Sequence, residues 1–299
     1  MIHNLGSEPV LGLSLANVSL LRLDQTGGPA PGTKSFKLSQ YLIEAIRLAV
    51  PRLVSFGGAW SNHLHALAAL GQHHGIATVG IVRGEQTPQE SAMLADARRW
   101  GMHVVHVSRH EYRQRNDDAY QQQLVDRFAP CLLLPEGGYS TAGAQGCAPI
   151  AALIQRSAPQ ARRIVLPVGT GTTLAGLVAA LDERYEVVGI TALKGATDLE
   201  QRVQQLLNGL ASPHRARWRI LHEHHCGGFA RVNAMLREFM LAFEAVHGVQ
   251  LDPVYTGKML LAIHTLCARG EWDTHAPLLA IHTGGLQGRR GYPWLSACD

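Results

Sequence analysis

The stretch Leu53-Val54-Ser55-Phe56-Gly57-Gly58-Ala59-Trp60-Ser61-Asn62-His63 passes from an apolar run through a glycine turn to a helix start. A short apolar run closed by Gly-Gly reads as a buried strand, and Ser61 is of the type that caps a helix. Apolar residues then recur at helical spacing to about residue 74. Outward from this stretch the same alternation repeats. Upstream, residues 19–23 read as a strand, 27–32 as a Gly/Pro loop, and 36–50 as a helix whose Leu38, Tyr41, Leu42, Ala45 and Ile46 share one face. Downstream, strands are expected at 77–82, 103–107, 131–134, 163–168, 186–192 and 277–282. Helices are expected at 89–100, 144–157, 172–181, 230–246 and 260–269. Such alternation predicts an α/β chain of parallel sheets flanked by helices. The expected division is a larger domain of residues 1–36 plus 138–299 and a smaller α/β domain of 37–137.

Composition narrows the function classes. With 46% apolar and 17% charged residues among 299, a sizeable core forms and disorder is not expected. The formal charge of +4 is spread along the chain, so neither nucleic acid nor an anionic membrane surface is an expected partner. Cys131, Cys147, Cys226, Cys267 and Cys298 are irregularly spaced and odd in number, which points to a reducing compartment. No signal-peptide pattern and no apolar run long enough for a membrane helix is seen. A cytoplasmic protein is the expectation.

Only four lysines occur: Lys34, Lys37, Lys194 and Lys258. Two of them sit close together in Pro31-Gly32-Thr33-Lys34-Ser35-Phe36-Lys37-Leu38, with Lys34 at a loop's end. Lysine, unlike arginine, can lose its proton when desolvated and attack a carbonyl. The loop Val168-Gly169-Thr170-Gly171-Thr172-Thr173 joins a strand to a helix and offers close backbone approach, hydroxyl donors and a positive helix end to an anion. No Gly-Lys-Ser/Thr follows it, as a P-loop requires. No carboxylate closes the next strand, as a dinucleotide site requires. A phosphate monoester is the better fit. The Gly57–His63 turn suits a carboxylate or a phenolic oxygen, Pro135-Glu136-Gly137-Gly138-Tyr139-Ser140 offers a further nest of amides, and Tyr255 stands before a helix after Asp252-Pro253. A phosphate site, a lysine and a carboxylate-binding helix start together are what pyridoxal 5′-phosphate needs for chemistry at the Cα of an amino acid.

These motifs resemble the 1-aminocyclopropane-1-carboxylate deaminase / D-cysteine desulfhydrase family of pyridoxal-phosphate enzymes, which has the tryptophan-synthase-β-like fold (fold type II). The family's Gly-Asn-Lys-x-Arg-Lys-Leu is matched by residues 32–38, its Gly-Gly-x-Gln-Ser-Asn-His by 57–63, its Thr-Gly-Ser/Thr-Thr by 170–173, its Asp-Pro-Val-Tyr-x-Gly-Lys by 252–258, and its terminal His-Thr-Gly-Gly by 282–285. The resemblance makes Lys34 the Schiff-base lysine. It gives Asn62 the cofactor's 3′-oxygen, Thr170, Gly171, Thr172 and Thr173 the phosphate, and Thr283 the ring nitrogen. Ser61 and His63 would line the substrate-carboxylate site with Asn62, and Tyr255 would stand beside the substrate. Lys34, Ser61 and Tyr255 are the catalytic expectations, and a homodimer is implied. Deaminases of this type carry Glu after the tyrosine, where Thr256 stands here, and tend to carry Gln at His63. A hydroxyl holds a ring-nitrogen proton less firmly than a carboxylate, which favours β-elimination from a small amino acid to a 2-oxo acid, ammonia and sulfide.

The chain departs from the family pattern at Thr33, Phe36, Trp60 and Tyr139, and at Gln287-Gly288-Arg289-Arg290, where the family is mostly apolar. Trp60, Tyr139, Arg289 and Arg290 are expected at the substrate end. Competing expectations are ring-opening deamination, racemisation or hydroxy-amino-acid dehydration on the same scaffold, or cofactor binding without turnover. Lys258 is the alternative aldehyde-bonding lysine. His222-Glu223-His224-His225-Cys226 has no metal-ligand spacing, and no metal is expected.

Overall fold

The computed structural model describes residues 2–210 and 216–296, which leaves Cys298 outside the described residues. Ten strands occur among them: β1 (Ile2–Asn4), β2 (Val18–Arg22), β3 (Arg52–Gly57), β4 (Ala77–Arg83), β5 (His103–Val107), β6 (Leu132–Leu134), β7 (Arg163–Val168), β8 (Glu186–Thr191), β9 (Arg217–Leu221) and β10 (Leu278–His282). They form two sheets flanked by helices, so the chain is α/β as its alternation implies. One sheet has the order β1-β2-β10-β7-β8-β9, the other β5-β4-β3-β6. Every pairing is parallel except that of β1 with β2.

The chain divides into two compact units. The first comprises Met1–Thr26 and Cys147–Leu286, the second Gly27–Gly146 and Gln287–Asp299. Residues 37–137 fall within the second unit, which also takes 27–36, 138–146 and 287–299. One reason is steric. A Cβ on Gly146 would lie 2.2 Å from the Phe36 carbonyl oxygen, so the helix Thr141–Gly146 rests directly on the helix Thr33–Arg47.

The core of the second unit follows the two-residue period of its central strand. Leu53 faces a cluster with Leu38, Tyr41, Leu42, Leu64 and Leu67, while Val54 and Phe56 face the opposite cluster with Tyr120, Leu124 and Phe128. Each fully buried Leu or Phe contributes about 1.5–3 kcal/mol. In the first unit β7, β8 and β10 are buried almost throughout, as strands covered on both faces are.

Several boundaries differ from the sequence expectation. The first helix begins at Thr33, not 36, because Gly32 (φ 105°) turns the chain before it, so Lys34 lies in the first helical turn. The helix expected at 260–269 begins at Thr256. The helices Asp118–Phe128 and Leu199–Gly209 and the strand β9 had no counterpart. β9, Arg-Trp-Arg-Ile-Leu, ends its sheet and carries the charges that blunt an open edge.

Strand order places the loops that matter. In the second unit the order reverses between β3 and β6, and in the first between β7 and β10. At such a reversal the loops leaving the carboxyl ends part, and the crevice they leave takes ligands. The loop after β3 carries Gly57–His63 and that after β6 carries residues 135–140. The loop after β7 carries Gly169–Thr173, and that after β10 carries Thr283.

Candidate active site

The second unit gathers one group of predicted residues. Gly57 closes the turn after β3, and a Cβ there would stand 2.5 Å from Ser61 Oγ, so only glycine lets the chain fold back this tightly. Ser61 caps the helix Asn62–His74, its Oγ accepting from Leu64 N–H at 3.2 Å and keeping its own proton to donate. His63, at 3% exposure, follows in the first turn. Ser55 stands inside the apolar strand β3, fully buried, and its hydroxyl donates to the Leu134 carbonyl at 3.0 Å. The same oxygen lies 2.9 Å from His63 Nε2, so Nε2–H donates to it and His63 Nδ1 keeps a lone pair. That Nδ1 is buried without a hydrogen-bond partner. Burial, with the charges of Lys34 and Lys37 close by, pushes the imidazole down to about 3. His63 is thus a neutral acceptor, and in this form it offers a carboxylate no proton.

The loop after β6 meets the same group. Gly138 (φ 71°) lies where a Cβ would be 3.5 Å from Lys37 Cβ and 3.7 Å from His63 Cε1. Glu136 anchors the loop by accepting from the Tyr112 hydroxyl at 2.7 Å and from Arg115 Nε at 2.6 Å. Ser140 and Tyr41 share a short hydroxyl–hydroxyl bond, and burial raises the Tyr41 pKa. Tyr139 is half-buried between these anchors. Lys37 is buried at 6% and belongs to this group, a place its sequence position did not reveal.

The first unit gathers the other group. Gly171 (φ 83°) starts the helix Thr172–Ala180 with no side-chain cap, so the first-turn N–H groups are offered to an anion. Thr170 and Thr172 hydroxyls are linked at 2.8 Å beside them. Tyr255 packs on this loop, since a Cβ on Gly169 would be 3.2 Å from its Cε1 and its hydroxyl. Asp252 holds Tyr255 in place. Its buried carboxylate accepts from the N–H groups of Val254 (3.0 Å), Tyr255 (2.8 Å) and Thr256 (2.8 Å), and through a short bond from the Thr256 hydroxyl. The chain turns at residues 253–255, and Asp252 anchors the helix start that follows. Thr283 leaves β10 in a turn beside His282, whose Nε2 donates to the Gln250 carbonyl and whose Nδ1 lies 3.2 Å from both Asp24 Oδ1 and the Gly284 nitrogen.

These donors fit a phosphate monoester in the first unit, and in the second they fit a group that presents both an aldehyde to lysine and an anionic oxygen. Lys258 is packed away, at 1% exposure, with Nζ donating to the Gly228 carbonyl at 2.6 Å and its pKa lowered by burial. His222 Nε2 lies 2.7 Å from Glu200 Oε1, and His225 Nδ1 accepts from Gly227 N–H. Among the described residues no three His, Cys, Asp or Glu side chains converge on a metal position. Among the described residues no helix is long and apolar enough to cross a membrane. Of the altered positions, Arg290 is bonded to Asp96, Arg289 is buried, and the Trp60 indole faces Gly291, all within the second unit.

Comparison with known proteins agrees with this chemistry. The family model described as "Pyridoxal-phosphate dependent enzyme" matches residues 15–284. A putative 1-aminocyclopropane-1-carboxylate deaminase of Thermotoga maritima is 26% identical over 284 residues, covering 91% of this chain and 89% of its own. A D-cysteine desulfhydrase of Serratia proteamaculans is 28% identical over 287 residues, covering 90% and 86%. The crystal structure of an ACC deaminase homologue superimposes with a TM-score of 0.80 at 24% identity, over 93% of this chain and 88% of that one, a likeness of fold.

The state of His63 has a pH signature. An unfolded chain's histidine takes a proton below about pH 6.5, and the folded one refuses it down to about 3. The unfolded state therefore binds more protons in that window, and stability falls as pH falls through it. Urea denaturation at a series of pH values is expected to give a flatter profile for His63→Gln than for the wild type. Parallel profiles would show that His63 protonates freely in the fold.

Proposed function

Because the chain belongs to the pyridoxal-phosphate dependent enzymes, we propose that it is a lyase releasing sulfide, ammonia and a 2-oxo acid from a small amino acid, in the manner of a D-cysteine desulfhydrase. Pyridoxal 5′-phosphate is its cofactor. The observation that carries the reaction type is the bonding of Asp252 and Thr256. Thr256 stands where a ring-nitrogen carboxylate is expected in the deaminases, and its hydroxyl is turned inward to Asp252. Asp252 in turn is saturated by local donors. That leaves the ring nitrogen to the hydroxyl of Thr283 and favours a substrate whose own leaving group removes the electrons. The relative in Thermotoga maritima, a putative 1-aminocyclopropane-1-carboxylate deaminase, favours a second reading, ring-opening deamination.

When bound, the cofactor supplies an aldehyde for an amino group and a ring that draws electrons from Cα. Lys34 would hold that aldehyde, and its amine, when free, would be the base for the Cα proton. The amides and hydroxyl at Ser61–His63 hold the substrate carboxylate, and Asn62 donates to the ring oxygen. Thr170, Gly171, Thr172 and Thr173 hold the phosphate. The Cβ–S bond breaks with its electron pair on sulfur, and Tyr255 delivers the proton that sulfur takes. Trp60 and Tyr139 bound the substrate end.

The test uses purified protein with added pyridoxal phosphate. D-Cysteine is expected to yield sulfide, ammonia and a 2-oxo acid in equal amounts, with no turnover of 1-aminocyclopropane-1-carboxylate. The reverse selectivity would move the conclusion to the second reading. Borohydride reduction is expected to fix the cofactor on the peptide of Lys34, and Lys34→Ala to lose the visible band. A label on Lys258 would overturn the assignment. The proposal includes a homodimer in the cytoplasm, supported by Ile43, Ile46 and Leu48, which stand exposed along and just beyond one helix. Light scattering is expected to give twice 32.4 kDa, and a single-chain mass would exclude the dimer.

A further inference from the structure

Within the second unit, residues 287–291 lie across the loop that carries Asn62. Gln287 Nε2 donates to Asn62 Oδ1 at 2.6 Å and reaches the Trp60 carbonyl at 3.4 Å. A backbone carbonyl can only accept, so Trp60 decides which end of the Gln287 amide faces the loop. That NH2 in turn requires the oxygen of the Asn62 amide, not its nitrogen. Asn62 Oδ1 is thereby occupied, and its NH2 is the end left for a ligand.

Two anchors hold Gln287 where it is. Arg290 donates to Asp96, which also accepts from His65 and Arg99. Burial alone would raise the Asp96 carboxyl, but the bonds from Arg290 and His65 outweigh it and keep it below the usual carboxylate range. Gly291 lies on the Trp60 indole so closely that a Cβ would stand 3.2 Å from the ring. The Gln287 amide oxygen, by contrast, is buried without a partner among the described residues. An amide whose oxygen is left unsatisfied while its NH2 is bonded twice is placed for what the NH2 does.

We propose that Gln287 is a positioning residue, fixing Asn62 with its NH2 outward so that Asn62 donates to the cofactor's ring oxygen and keeps that oxygen ionised. This rests on the reading that Asn62 meets the ring oxygen. A hydrogen bond donated to the charged form of an oxygen favours that form, whereas an amide oxygen turned toward it repels it. An apolar residue at 287 would leave Asn62 free to present either end. This chain meets the requirement with a glutamine at a place where the family it resembles is mostly apolar.

The experiment measures cofactor dissociation constants and the pH at which the visible band changes, for the wild type, Gln287→Met, Gln287→Glu, Asn62→Ala and the double variants. Circular dichroism confirms folding of each. Gln287→Met matches the glutamine in length but cannot donate. It is expected to weaken cofactor binding about tenfold, the scale of one hydrogen bond to a charged oxygen, and to move the spectral transition to higher pH. Gln287→Glu can only accept, which turns the Asn62 oxygen outward, so its effect is expected to be at least as large. In the Asn62→Ala background neither change at 287 should add anything. If Asn62→Ala weakens binding while both variants at 287 match the wild type, Gln287 has no such role. Additive losses in the double variants would likewise overturn it. If Asn62→Ala itself leaves binding and spectrum unchanged, the underlying reading of Asn62 fails instead.

Discussion

Parallel pairing is the constraint on which the rest of the molecule depends. All carboxyl ends of a parallel sheet open on one side, and a ligand crevice forms only where the strand order turns back. Each sheet here turns back once, between β3 and β6 and between β7 and β10. The lysine-bearing unit places Ser61, Asn62, His63 and Gly138 on the loops at its reversal, and the other unit places Gly169–Thr173 and Thr283 at its own. Helix starts supply the electrostatics at both places. Gly171 leaves its helix start open for an anion, whereas Ser61 closes one N–H of its helix and keeps a proton for use outside.

Buried polar groups then set what those loops can do. Ser55 and Asp252 are both fully satisfied by local partners, and each fixes a neighbour. Ser55 sets the tautomer of His63, and Asp252 sets the backbone of Tyr255 while taking the Thr256 hydroxyl out of play. His63 and Gln287 retain unsatisfied acceptors, and burial of that kind is destabilising by about 1–3 kcal/mol each.

Much of this was legible in the sequence for a physical reason. Strands buried on both faces read as continuous apolar runs, and the glycines that end them are needed for close approach, so strand, turn and helix start announce themselves together. Lys34, Ser61, Asn62, Tyr255 and Thr170–Thr173 stood out as candidates because each stands at such a start. The edge strand β9 was not found, because its arginines break the apolar run. Ser55 held a signal that went unused, a hydroxyl in the middle of a buried strand. Nothing local marks Asp252 as more than a turn, since its partners are backbone amides that exist only once the helix forms. Gln287 was visible only as an oddity of composition, because the residue it serves is remote in the chain.

That remoteness has a kinetic meaning. Asn62 and Gln287 are 225 residues apart, whereas the helix cap at Ser61 and the Ser55–His63 pair have partners made much earlier. During synthesis the helix, its cap and the Ser55–His63 pair can be complete while the Asn62 amide still rotates. Its orientation is set only when Gln287 reaches it, so a chain that stops short of Gln287 has the loop but not the locked amide.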